Sequence, residues 1–148
     1  MIVLSACLAG KDVKYNGGNN VREDLKRLYE QGQAVLVCPE VMGGLPIPRH
    51  CAEIQGDKVI NDIGEDVTDA FVKGAELAME TCRKNGCQMA VLKAKSPSCG
   101  KGVIYDGTFT HTETEGDGIF VRFLRKEGIP VYTEHEYERM IRGGKDND

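Results

Sequence analysis

Three cysteines stand where three apolar runs end: Ile2-Val3-Leu4-Ser5-Ala6-Cys7, Ala34-Val35-Leu36-Val37-Cys38-Pro39-Glu40, and Ala90-Val91-Leu92, whose exit segment carries Ser96-Pro97-Ser98-Cys99-Gly100. A thiolate is a soft ligand suited to zinc, copper(I) and iron-sulfur clusters. If each run is a strand of an open parallel sheet, its thiol reaches the crevice beyond the strand C-termini, where such sheets bind ligands. Three thiols far apart in sequence then meet at one point. Four-iron clusters usually take four thiolates, so three would leave one iron open as a Lewis acid with affinity for sulfur. The spacing matches no C-x-x-C or ferredoxin pattern, and buried incidental cysteines are the alternative.

The neighbours of these thiols carry chemistry of their own. Glu40 follows Cys38 by two residues and is a candidate general base for water. Ser96 precedes Cys99 by three, in a segment restricted by Pro97 and opened by Gly100; its hydroxyl could orient water or donate to substrate. The plainer alternatives are a turn serine and a surface carboxylate. Arg49 and Lys93, with Lys95 and Lys101, flank the proposed crevice and are candidates for holding a small anionic or polar substrate, against a reading as solvated loop cations. Cys82 and Cys87 read as core packing, and His50, His111 and His135 are scattered. Neither Gly43-Gly44 nor Gly100-Lys101-Gly102 matches a phosphate-loop or dinucleotide fingerprint.

The elements that must position these residues alternate between strand and helix periods. Val21, Leu25, Leu28 and Tyr29 share a helical face that Gly32 ends before the second strand, giving a right-handed β-α-β unit. The stretch from Val41 to Arg49, with Gly43-Gly44 and Pro46-x-Pro48, predicts an irregular loop. Gly56-Asp57 predicts a hairpin joining Ala52–Gln55 to Lys58–Asn61, and Asp106-Gly107 a two-residue turn joining Val103–Tyr105 to Thr108–Thr110. A long helix from Asp66 or Thr68 carries Phe71, Ala75, Ala78, Met79 and Cys82 on one stripe; Ile119, Phe120, Phe123 and Leu124 mark another. A strand at Ile129–Tyr132 and a helix with Tyr137, Met140 and Ile141 follow. The class is α/β, a Rossmann-like three-layer sandwich with a mostly parallel sheet and inserted hairpins. Residues 1–142 read as a single domain and 143–148 as a flexible tail.

Composition sets bounds on partners. With 148 residues the chain can bury a core without covalent staples. A net charge of −4 without a basic stripe predicts no extended nucleic-acid surface. No apolar stretch approaches the ~18 residues of a membrane span, and the start lacks a basic leader, which predicts a cytoplasmic protein. Six cysteines in that reducing compartment read as thiols or metal ligands.

The chain resembles the 2-thiouracil desulfurase-like family, long known as a domain of unknown function, over nearly its whole length. The motifs that carry the resemblance are Ser5-Ala6-Cys7-Leu8-Ala9-Gly10, Tyr15-Asn16-Gly17-Gly18, the run from Cys38-Pro39-Glu40 to Ile47-Pro48-Arg49, Ala52-Glu53-Ile54, Gly64-Glu65-Asp66-Val67-Thr68, Leu92-Lys93 and Ser96-Pro97-Ser98-Cys99-Gly100. It implies a 4Fe-4S cluster held by Cys7, Cys38 and Cys99, with Glu40 and Ser96 as the catalytic or substrate-positioning pair. The implied reaction is non-redox: thiocarbonyl sulfur of a small thiolated compound binds the open iron, water attacks the carbon, and sulfur leaves as sulfide. Where the family often carries proline, this chain has His50-Cys51, and Cys51 is a candidate fourth ligand that would close the open iron. A non-catalytic cluster-binding module or sulfide carrier, and a cluster-free nucleotide-binding domain, are the competing expectations.

Overall fold

Side-chain alternation along β1 decides the architecture. In the computed structural model, which describes the backbone of residues 1–146 and the side chains of 1–142, Val3 and Leu4 are both fully buried but join different apolar clusters, one on each face of the sheet. A strand apolar on both faces must be covered on both, the situation of a parallel sheet between helices. The element order is β1 (Ile2–Ser5), a 3-10 turn (Ala6–Ala9), α1 (Glu23–Glu30), β2 (Ala34–Val37), α2 (Pro39–Met42), β3 (Ala52–Gln55), β4 (Lys58–Asn61), α3 (Thr68–Lys84), β5 (Met89–Leu92), β6 (Val103–Tyr105), β7 (Glu113–Glu115), α4 (Ile119–Lys126), β8 (Val131–Thr133) and α5 (Glu134–Asp146).

The main sheet has the order β2-β1-β5-β8, all parallel, in register Ile2 with Ala34 and Met89, and Ala90 with Val131. Phe71, Ala75, Met79 of α3 and Phe120, Leu124 of α4 pack with Val3, Ala90 and Leu92 on one face; Leu25 of α1 and Tyr137 of α5 pack with Leu4 and Val91 on the other. The chain therefore leaves β1 over one face and β5 over the other. Adjacent strands whose exits diverge in this way open a crevice at their C-terminal ends. The expected three-layer α/β arrangement with a parallel sheet and two inserted hairpins is what the structure has.

Three local expectations are corrected. The stretch after Cys38 opens with α2, because Pro39 is set for a first helical position and the backbone N–H of Met42 reaches Cys38 carbonyl oxygen at 2.9 Å. The second hairpin does not turn at Asp106-Gly107: β6 pairs with β7, Tyr105 opposite Glu113, and residues 106–112 form the connection. Asp106 accepts hydrogen bonds from the Thr108 backbone and hydroxyl, while buried Glu53 of β3 accepts from the N–H groups of Gly107 and Phe109, so side chains take the pairing that a tight turn would have needed. The last strand starts two residues later than expected. The flexible-tail expectation falls partly on residues 147 and 148, outside the described residues; α5 extends to Asp146.

Candidate active site

Three separate elements bring the thiols to the crevice. Cys7 lies in the 3-10 turn that ends β1, Cys38 links β2 to α2, and Cys99 sits in the exit segment of β5. Cys7 and Cys99 are buried and Cys38 is half-buried. Burial, the largest influence, pushes each thiol above its ordinary value. Their mutual charges add to it: Cys38 raises Cys7, and both Cys38 and Cys7 raise Cys99. The three sulfurs therefore share one field. Each also has a donor pulling the other way: the Asn20 amide at Cys7, the Val41 and Glu40 backbone N–H groups at Cys38, and the Ser5 and Ser98 hydroxyls at Cys99. Among the described residues no three His, Cys, Asp or Glu side chains are grouped to hold a metal ion.

Glu40 is held from both sides. Arg49 Nε donates to Glu40 Oε1 at 3.1 Å, and Ser98 Oγ donates to Oε2 at 2.8 Å. Ser98 Oγ is also 3.7 Å from Cys99 Sγ and 2.9 Å from Ser96 Oγ. Ser96 Oγ accepts the N–H groups of Ser98 and Cys99 at 3.1 and 3.0 Å, so it staples the loop that carries the third thiol. Of the two serines, Ser98 is the one that touches the carboxylate, and sequence reasoning missed it. Its place beside Cys99 was the available signal, but spacing alone does not say which hydroxyl turns toward Glu40.

Arg49 has protein partners for its other nitrogens, donating to the carbonyls of Pro46 and Val13 at 3.3 and 2.9 Å, with its side chain only 6% exposed. It braces Glu40 and ties the loop after α2 to the loop after Cys7. Lys93 Nζ lies 3.3 Å from buried Glu134 and donates to Ala94 carbonyl oxygen at 3.2 Å, while its charge acts on Cys7. Lys95 pairs with Glu113 and Lys101 with Glu136. Cys51 is drawn elsewhere: its thiol donates to Asp62 at 3.4 Å, and that carboxylate also meets His50. Cys82 and Cys87 are buried in the core, as expected. Glu40 and Arg49 line a cavity of about 560 Å³, together with Leu45, Pro46, Val67 and Phe71 and the polar groups of His50, Asn61 and Glu65.

The family model described as 2-thiouracil desulfurase matches residues 2–136. The uncharacterized protein YbbK of Bacillus subtilis (strain 168) is 36% identical over 151 residues, which span 95% of this chain and 100% of YbbK. A solved structure of the 4Fe-4S-dependent thiouracil desulfidase TudS superposes with a TM-score of 0.89 at 42% identity, covering 97% of each chain. The chain belongs to the 2-thiouracil desulfurase family.

Proposed function

We propose that this protein removes sulfur from a small thiolated heterocycle of the thiouracil kind by non-redox hydrolysis, using a 4Fe-4S cluster held by Cys7, Cys38 and Cys99. The observation that carries the reading is the convergence of three thiols, each with its own hydrogen-bond donor, beside a carboxylate clamped by Arg49 and Ser98. The residues fit such a group. Burying three thiolates without a counter-charge is unfavourable, and metal binding is what holds buried thiols deprotonated. A cluster presents its irons separately, so its ligands need not crowd about one ion. The 42% identity to TudS along 97% of both chains supports the same choice.

A 4Fe-4S cluster held by Cys7, Cys38 and Cys99 would supply Lewis-acid polarisation of a thiocarbonyl. The rest is the work of this chain. Glu40, its carboxylate directed by Arg49 and Ser98, takes a proton from the attacking water. The carbon–sulfur bond breaks as the carbon–oxygen bond forms: thiocarbonyl and water become carbonyl and hydrogen sulfide. Ser96 keeps Cys99 and Ser98 in register with Glu40 by holding both backbone N–H groups. Lys93, beside Cys7, offers a hydrogen bond to a polar atom of the heterocycle; Arg49 contributes through Glu40 and not by direct contact. The cavity that Glu40 and Arg49 line gives the ring room within the usual range for small ligands.

Cys51 does not favour the closed, non-catalytic module, since its thiol is committed to Asp62. We read residues 1–142 as one catalytic domain. Six free cysteines support a reducing cytoplasmic setting, and no helix among the described residues is long and apolar enough to cross a membrane.

The test is anaerobic reconstitution with iron and sulfide, followed by bound-iron, visible-absorption and sulfide-release measurements with 2-thiouracil. A cluster-loaded protein that releases sulfide, and a Glu40→Gln variant that keeps the cluster but loses release, support the reading. Unchanged release from Cys38→Ala would end it.

A further inference from the structure

The loop from Lys11 to Asn20 contains the Tyr15-Asn16-Gly17-Gly18 motif and ends on Asn20, the donor at Cys7. Its hydrogen bonds show what it holds. Lys14 N–H donates to Gly18 carbonyl oxygen at 3.1 Å and Gly17 N–H to Lys14 carbonyl oxygen at 2.9 Å, with Asn16 Oδ1 accepting Gly18 N–H at 3.0 Å; the chain folds back so that Lys14 meets Asn20. Asn19 and Asn20 then divide two tasks. Asn19 staples the loop by donating to Asp12 and accepting from the Val21 N–H. Asn20 turns inward: its backbone N–H donates to Cys7 carbonyl oxygen at 3.0 Å, its Nδ2 lies 3.9 Å from Cys7 Sγ, and Lys14 Nζ donates to its Oδ1 at 3.3 Å. An ammonium has donors only, so the Lys14 contact selects the amide orientation in which N–H, and not C=O, faces sulfur.

We propose that Asn20, oriented by Lys14, is a positioning residue for the Cys7 thiolate, giving it an N–H···S hydrogen bond that secures the cluster and raises its reduction potential. The inference rests on the cluster reading above. Hydrogen bonds to ligand sulfur withdraw charge from an iron-sulfur centre and stabilise its reduced form. The same withdrawal makes an open iron a better acceptor for sulfur. Partners of this outer kind commonly change metal retention by 10–100-fold, on the order of the effect expected here.

The test compares wild type, Asn20→Leu, Asn20→Asp and Lys14→Met after anaerobic reconstitution, reading bound iron, the rate of cluster loss to a chelator, and reduction potential by redox titration followed by electron paramagnetic resonance. Asn20→Leu should lose its cluster roughly 10-fold faster. Asn20→Asp, which sets an acceptor against the thiolate at nearly constant size, should lose it faster still, and Lys14→Met less so. Potential should fall in the same order. Lys14→Met leaves Asn20 and its backbone contacts in place, so a folding defect in the Asn20 variants leaves the inference open to refutation. A normal wild-type cluster with unchanged potential and loss rate in the variants overturns the assignment of Asn20 alone. A wild-type protein that takes up no cluster overturns the reading beneath it.

Discussion

Single hydrogen bonds decide the chemistry of Glu40. With Arg49 on one oxygen and Ser98 on the other, the carboxylate has one orientation relative to the thiols. Ser98→Ala removes one brace and leaves a nearly buried oxygen without its donor, which is worth about 1–3 kcal/mol. The expected outcome is a fall of roughly 10- to 100-fold in sulfide release per bound cluster, measured as release against bound iron. Ser98→Thr, which keeps the hydroxyl, should recover part of that loss, and Glu40→Gln should lower kcat by about 10²- to 10⁴-fold. Ser96→Ala should act on a different readout, loosening the loop and reducing cluster content, because its hydroxyl serves the backbone of Ser98 and Cys99.

At the scale of elements, the carboxylate depends on how closely α2 can approach α3. Gly43 and Gly74 make this approach possible: a Cβ on Gly74 would lie 1.7 Å from the Pro39 carbonyl oxygen, and one on Gly43 would lie 1.9 Å from the Ala70 carbonyl oxygen. Neither neighbour is a flexible side-chain tip, so the helices must separate. Gly74→Ala should destabilise the fold by about 1–3 kcal/mol in chemical denaturation and displace Cys38 and Glu40 together, lowering cluster content as well as kcat. An alanine variant with normal stability and normal iron would show that α2 is free to shift without consequence. Gly118 plays the same part for the third thiol, since its Cβ would lie 2.5 Å from the Ser98 carbonyl group.

Across the whole molecule, burial of four thiols, Cys7, Cys82, Cys87 and Cys99, links stability to pH and, through Cys7 and Cys99, to the cluster. Burial, helped by the neighbouring Cys87, raises Cys82 from 9.0 to about 12. The folded chain therefore holds this proton more tightly than the unfolded chain. That contribution is fully present below pH 9 and is lost as pH rises toward 12, with a slope of at most about 1.4 kcal/mol per pH unit from one group. Denaturation midpoints of the cluster-free protein should fall between pH 9 and 11, and Cys82→Ala should flatten that fall; an equal slope in the variant would assign it to other groups. Loading the cluster should raise the midpoint, because a ligand of the folded state alone stabilises it. Much of this was legible in the sequence. Runs such as Val3-Leu4 and Ala90-Val91-Leu92 are apolar at every position, which only a strand covered on both faces tolerates, and a cysteine at the end of such a strand falls at the crevice. The long α3 stripe and the Gly56-Asp57 turn were legible because their signals are local and periodic. Partnerships between distant segments were not. That Ser98 and not Ser96 meets Glu40, that Arg49 serves a carboxylate, that Cys51 goes to Asp62, that Glu53 displaces the Asp106-Gly107 turn, and that Asn20 reaches Cys7 are all choices among several possible partners. Only tertiary packing makes those choices, because hydrogen-bond direction depends on where two backbones lie in space and not on how many residues separate them.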